Sequence, residues 1–94
     1  MGEYNVVVYT SDSCIHCTKV LELLREWDIS FTEKNISQNA DFYKEMKEMG
    51  VYGAPVTFID GQQVLGFQKR KLKKYLGIDE VSSYIRQRAL SNQN

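Results

Sequence analysis

Val6-Val7-Val8-Tyr9-Thr10-Ser11-Asp12-Ser13-Cys14-Ile15-His16-Cys17 changes character twice along its length. Val6 to Tyr9 is apolar and β-branched, which suits a strand buried on both faces. Thr10-Ser11-Asp12-Ser13 is a polar turn rich in residues that cap helix N-termini. From Cys17 onward, Val20, Leu21 and Leu24 keep the spacing i, i+3, i+4, i+7 of an amphipathic helix, which should end near Trp27-Asp28. Both cysteines therefore fall where a strand hands over to a helix.

The same reading extends outward. Ile29-Ser30-Phe31-Thr32-Glu33 alternates apolar and polar residues and predicts a second strand. Asn39 can cap a second helix with Phe42, Met46 and Met49 on its inner face and Gly50 as its stop. Val56-Thr57-Phe58-Ile59 and Gln63-Val64-Leu65 flank Asp60-Gly61-Gln62, and Asp-Gly favours a tight hairpin turn. Leu72, Tyr75 and Leu76 mark a third helix closed by Gly77. Val81, Tyr84, Ile85 and Ala89 suggest a C-terminal helix before the polar tail from Ser91 to Asn94. The order is β-α-β-α-β-β-α plus that extra helix. Right-handed crossover makes the first two strands parallel neighbours, and the hairpin makes the last two antiparallel. The expected fold class is α/β, a four-stranded mixed sheet with helices on both faces. The expected organisation is one domain over residues 1–78 and a helical extension over 79–94.

With 94 residues, 43% of them apolar and 12% aromatic, the chain can bury one modest core. No apolar run approaches the roughly 18 residues that span a membrane. The acidic, β-like opening lacks the basic region and long apolar stretch of a signal peptide, so the expectation is a cytoplasmic monomer off the membrane. Two cysteines are too few for a disulfide-stapled scaffold and point instead to catalysis or metal binding. Formal charge sums to zero but is polarised: residues 1–60 hold five Lys and Arg against ten Asp and Glu, and residues 61–94 hold seven against two. Such asymmetry can guide docking to a charged partner.

The first turn of a helix presents unpaired N–H groups and the positive end of the helix dipole. A thiolate there is stabilised, and the thiolate is the nucleophile. Cys14 lies at the helix tip and is the expected nucleophile. Cys17, one turn deeper on the same side, can resolve a mixed disulfide by attacking back onto Cys14. Ser13 and His16 form the immediate environment. A protonated His16 would favour the Cys14 thiolate, Lys19 less directly, and Asp12 would oppose it. The competing readings are two inert, buried small side chains, or a metal site shared between two chains, because one chain offers only two Cys and one His locally. The single proline, Pro55, stands directly before Val56 and marks Gly53-Ala54-Pro55 as a tight turn rather than strand.

The pattern Val8-Tyr9-Thr10-Ser11, then Cys14 and Cys17, then Ala54-Pro55-Val56-Thr57-Phe58, then Gly66-Phe67, closely resembles the glutaredoxin family over residues 4 to about 77. Within it the match is nearest to the redoxin branch associated with ribonucleotide reductase. The resemblance implies a thioredoxin-like fold and thiol–disulfide oxidoreductase activity without a bound cofactor. It implies that Ala54-Pro55 is cis beside the cysteine pair. The backbone of Ala54 would pair with substrate as an added strand. Gly66 would admit a substrate backbone, and Phe67 would be an apolar contact or simply core packing. Implied partners are a disulfide-containing protein and an electron donor.

Three departures bear on that donor. Many glutathione-using relatives carry a basic residue where Ser11 stands, Pro-Tyr where Ile15-His16 stands, and a second Gly with Asp after the fourth strand, where this chain has Phe67-Gln68-Lys69. Glutathione thus loses recognisable partners, although Lys69 or Arg70 could replace one. Thioredoxin reductase becomes a comparable expectation. The basic run Lys69-Arg70-Lys71-Leu72-Lys73-Lys74 reads as a solvated helix face with Leu72 turned inward, since no aromatic interleaving supports nucleic-acid binding. A non-enzymatic redox sensor or adaptor is the rival function. The opening segment and the helical tail also resemble, less closely, thioredoxin-fold regulators that bind RNA polymerase.

Overall fold

The computed structural model describes residues 4–78. The predicted C-terminal helix and the 79–94 extension lie outside them. In chain order the elements are β1 (Val6–Thr10), α1 (Ile15–Glu26), β2 (Thr32–Asn35), α2 (Ala40–Glu48), β3 (Val56–Ile59), β4 (Gln62–Leu65) and α3 (Lys69–Tyr75). The sheet order is β2-β1-β3-β4. As predicted, β1 and β2 are parallel and β3 and β4 antiparallel; β1 also pairs antiparallel with β3.

Alternation along the central strand divides the core in two, because successive side chains point to opposite faces. Val6 and Val8 join Val20, Leu21, Leu23 and Leu24 of α1 and Leu72 of α3 on one face. Val7 and Tyr9 join Met46 of α2, Val51 and Val56 on the other. Helices thus cover both faces. Among the described residues, no helix is long and apolar enough to cross a membrane.

The hairpin follows its turn chemistry. Asp60 (φ 50°) and Gly61 (φ 87°) are the two central residues, and Ile59 pairs with Gln62. Both torsions are positive, as a type I′ turn demands, which is why Asp-Gly stands there. Asp60 also accepts the Asn5 N–H through Oδ1 at 2.8 Å.

Two expectations need correction. The second strand is Thr32–Asn35 rather than Ile29–Glu33. Ile29 and Phe31 are indeed partly buried, with Trp27, against the α1-side core. Their alternation records packing of a connecting segment, and strand pairing starts only where Thr32 meets Val7. In α2, Met46 is buried, but Met49 is the C-cap and is 42% exposed, because the helix stops before its side chain turns inward. A polar cluster stitches this face: the Tyr9 hydroxyl donates to Glu45 Oε1 at 2.9 Å, and Lys34 pairs with the same carboxylate at 3.0 Å.

Thr57, on β3, is fully buried, and its hydroxyl has no hydrogen-bond partner among the described residues. A buried hydroxyl without a partner costs about 1–3 kcal/mol in lost hydration. Thr57→Val keeps the shape and removes that cost. We expect it to raise stability by about 1 kcal/mol, read as a higher urea midpoint at unchanged slope; a lower midpoint would show the hydroxyl to be satisfied.

Candidate functional site

Residues 11–14 turn the chain from β1 into α1. Ser13 makes the bend with φ 55° and is exposed. Cys14 is extended (φ −114°, ψ 108°) and is itself the N-cap: its Sγ accepts the Cys17 N–H at 3.2 Å. The sulfur therefore occupies the place a serine or aspartate oxygen takes in most helices, at the positive end of the dipole. The polar residues ahead of it supply the turn and not the cap.

The two thiols are free and electrostatically unlike. Partial burial alone pushes the Cys14 thiol up. Hydrogen bonds to its sulfur outweigh that and bring it below the ordinary thiol value. They come from the Cys17 thiol, the Cys17 N–H, the Ser11 hydroxyl and the His16 backbone N–H. Cys17 is only 3% exposed. Burial first, and donation of its S–H to Cys14 second, push it up to about 11, against opposing hydrogen bonds from Ser11. One sulfur thus favours the anion while the other keeps its proton.

The surrounding loop is tied down from β2 and the loop after it. Asp12 N–H donates to Ser37 Oγ at 3.0 Å, and Asp12 Oδ1 accepts from Asn35 Nδ2 at 3.1 Å and Gln38 Nε2 at 3.2 Å. The Ile36 N–H reaches Thr10 O at 2.8 Å. Asp12 is therefore spent on two amides and the bend.

Ala54-Pro55 is cis, as the resemblance implied. β1 and β3 pair as far as Tyr9↔Val56, so Pro55 follows at the end of the sheet where β1 enters the cysteine turn. Its carbonyl accepts the Gly66 N–H at 2.8 Å, which holds Gly66 at the same end. Gly66 has φ 71°, and no atom lies within 4 Å of where its Cβ would be. The backbone torsion calls for glycine there, and the open side leaves room for an approaching chain. Phe67 is 37% exposed and belongs to neither core cluster, so it is not core packing.

Ser13, Cys14 and Cys17 line one open groove of about 470 Å³ with Thr10, Asp12, Thr18 and Glu33. His16, Ala54, Pro55, Gly66 and Phe67 are not among its walls. The His16 side chain is exposed; its backbone N–H is what reaches Cys14. Sequence reasoning missed Ser11 as a donor to both sulfurs and the pair Thr10–Glu33, in which the buried Thr10 hydroxyl donates to Glu33 Oε2 at 2.8 Å. The parity of Thr10 with Val8 was the available signal, since it turns Thr10 toward α1. Along α3, Leu72 is buried and Lys69, Arg70, Lys71 and Lys74 are exposed, as a solvated face requires. Among the described residues, no group of three or more His, Cys, Asp or Glu side chains is placed to hold a metal ion.

Comparison with known proteins bears on the same region. A family model described as Glutaredoxin matches residues 6–64. The chain belongs to the glutaredoxin family. The glutaredoxin-like protein NrdH of Lactococcus lactis subsp. cremoris (strain MG1363) is 36% identical over 69 residues, covering 73% of this chain and 96% of that relative. Glutaredoxin 3 of Escherichia coli (strain K12) is 38% identical over 63 residues, covering 66% of this chain and 76% of that one. Among solved structures, a glutaredoxin from Archaeoglobus fulgidus superposes with a TM-score of 0.68 at 27% identity, over 80% of this chain and 88% of its own. This glutaredoxin is thus NrdH-like, with a thioredoxin-like fold, and is a thiol–disulfide redox protein.

Proposed function

We propose that the protein reduces disulfides by dithiol exchange, with Cys14 as nucleophile and Cys17 as resolving thiol. The observation that carries this reading is the cap: Cys14 Sγ accepts the first-turn N–H of Cys17 at 3.2 Å, while the Cys17 thiol is buried, which favours its protonated form. The Cys14 thiolate attacks a substrate disulfide, forms a Cys14–substrate disulfide and expels one substrate thiolate. Cys17 then attacks Cys14, forms the intramolecular disulfide and expels the second substrate thiol. An external reductant returns the dithiol, and the protein needs no bound cofactor. The extended segment at Ala54-Pro55 would receive the substrate backbone as an added strand, and Gly66 and Phe67 would flank it.

The substrate class we propose is a protein disulfide in the reducing cytoplasm. The donor is thioredoxin reductase or glutathione. Ser11, at the position where many glutathione-using relatives place a cation, is engaged with the two sulfurs, which favours the reductase. Turnover with glutathione and its reductase, run beside turnover with thioredoxin reductase and NADPH, decides the donor.

Cys17→Ser removes the resolving thiol and leaves the attacking one. It should accumulate a mixed disulfide through Cys14, seen by intact mass after exposure to a disulfide substrate and released by dithiothreitol. No adduct on that variant, with the wild type active, would reverse the two roles or end them.

A further inference from the structure

Resolution raises a proton problem. Before attack, Cys17 donates its S–H to the Cys14 sulfur. Once Cys14 is part of a mixed disulfide it is no longer an anion, and that acceptor is gone. Cys17 is buried and holds its proton well above neutral pH. Its attack therefore needs another acceptor within the groove.

The titratable groups lining that groove are Asp12, Cys14, Cys17 and Glu33. His16 and Lys19, on α1 itself, are exposed and outside it. Asp12 is committed to the amides of Asn35 and Gln38. The Thr18 hydroxyl is committed to the Cys14 carbonyl at 3.2 Å. Lys34, next along β2, faces the opposite side and pairs with Glu45. Glu33 remains. Its register partner on β1 is Val8, whose side chain lies in the α1-side core, so Glu33 shares that face of the sheet. The hydroxyl of Thr10, 1% exposed, donates to Glu33 Oε2 at 2.8 Å. That donation orients the hydroxyl so that its oxygen lone pairs are free to accept from the groove.

We propose that Glu33 takes the proton of Cys17 during resolution, relayed by the Thr10 hydroxyl and groove water. This rests on the dithiol reading above. The Cys17 S–H proton passes to the relay as the relay delivers a proton to Glu33 Oε2. The Cys17 sulfur bonds to Cys14 Sγ, and the bond from Cys14 to the substrate sulfur breaks. The electron pair leaves on the substrate thiolate, which takes up the proton that Glu33 then releases. The protein dithiol is oxidised by two electrons and the substrate disulfide is reduced by two.

The test is rapid mixing of reduced full-length protein with Ellman's reagent, which separates the steps. Attack by Cys14 releases the first thionitrobenzoate in a concentration-dependent phase, and resolution by Cys17 releases the second in a concentration-independent one. Glu33→Gln keeps an acceptor for the Thr10 hydroxyl but cannot take a proton. Expected at pH 7 is a second phase slowed about tenfold or more, with the first phase within about twofold of wild type. The gap should narrow as pH rises toward the value at which Cys17 loses its proton unaided, and Glu33→Asp should recover part of the rate. Thermal melts confirm that the variants are folded. A second phase unchanged by Glu33→Gln, or slowed equally at every pH, overturns the proton role. Absence of both phases in the wild type instead overturns the dithiol reading itself.

Discussion

If Cys14 is the nucleophile proposed above, Cys14→Ser should abolish disulfide reduction, a loss of roughly a thousandfold or more, because the step that forms the covalent intermediate would have no nucleophile. The hydroxyl of serine can still cap α1, so the fold should survive and the loss should be one of chemistry. The pH dependence of the wild type carries the same point. Cys14 is held below the ordinary thiol value by hydrogen bonds from Cys17, Ser11 and the His16 backbone that outweigh its partial burial. Alkylation by iodoacetamide tracks the thiolate. It should fall as pH drops through the Cys14 pKa, with a midpoint below that of an ordinary thiol, near about 8.5. Cys17, buried and pushed up to about 11, should stay unmodified over the same range. Peptide mapping of the labelled, folded protein checks both. Equal labelling of the two thiols, or a Cys14 midpoint above the ordinary value, would defeat the assignment.

Leu24→Ala should cost about 2–5 kcal/mol through lost burial and the cavity left behind. Leu24 is fully buried where α1 packs on the sheet, in the cluster that also holds Val8, Ile59 and Leu72. Small domains have about 5–15 kcal/mol in total. At roughly 4–8 °C per kcal/mol for a domain of this size, the melting temperature should drop by about 8–40 °C. Met49→Ala is the control: that side chain is 42% exposed, and its removal should change stability by no more than about 0.5 kcal/mol. Comparable losses from the two would mean that the α2 boundary lies elsewhere.

The contrast between Leu24 and Met49 shows what periodicity can and cannot tell. Both sat on apolar stripes. Leu24 lies within a helix long enough to complete its stripe, and Met49 lies where the helix has already stopped. Ile29 and Phe31 teach the same about strands: a period-two pattern records which side chains are buried, and pairing also needs a partner strand in register. At the site, Cys14, Cys17 and the cis Ala54-Pro55 were legible from spacing and from resemblance. Ser11 was noticed only as a departure, because its contribution is made through space to two sulfurs.

Sequence by itself determined the order of elements, the Asp60-Gly61 hairpin and the placing of a cysteine pair at the start of α1. Those features depend on periodicity, caps and torsional preference, which act between residues only a few apart. Tertiary structure alone decided that Cys14 itself caps the helix, that Asp12 is engaged by Asn35 and Gln38, and that the Thr10 hydroxyl meets Glu33. The last two contacts join residues more than twenty positions apart. Only the parallel pairing of β1 with β2, stabilised by the core on both faces of the sheet, brings them together.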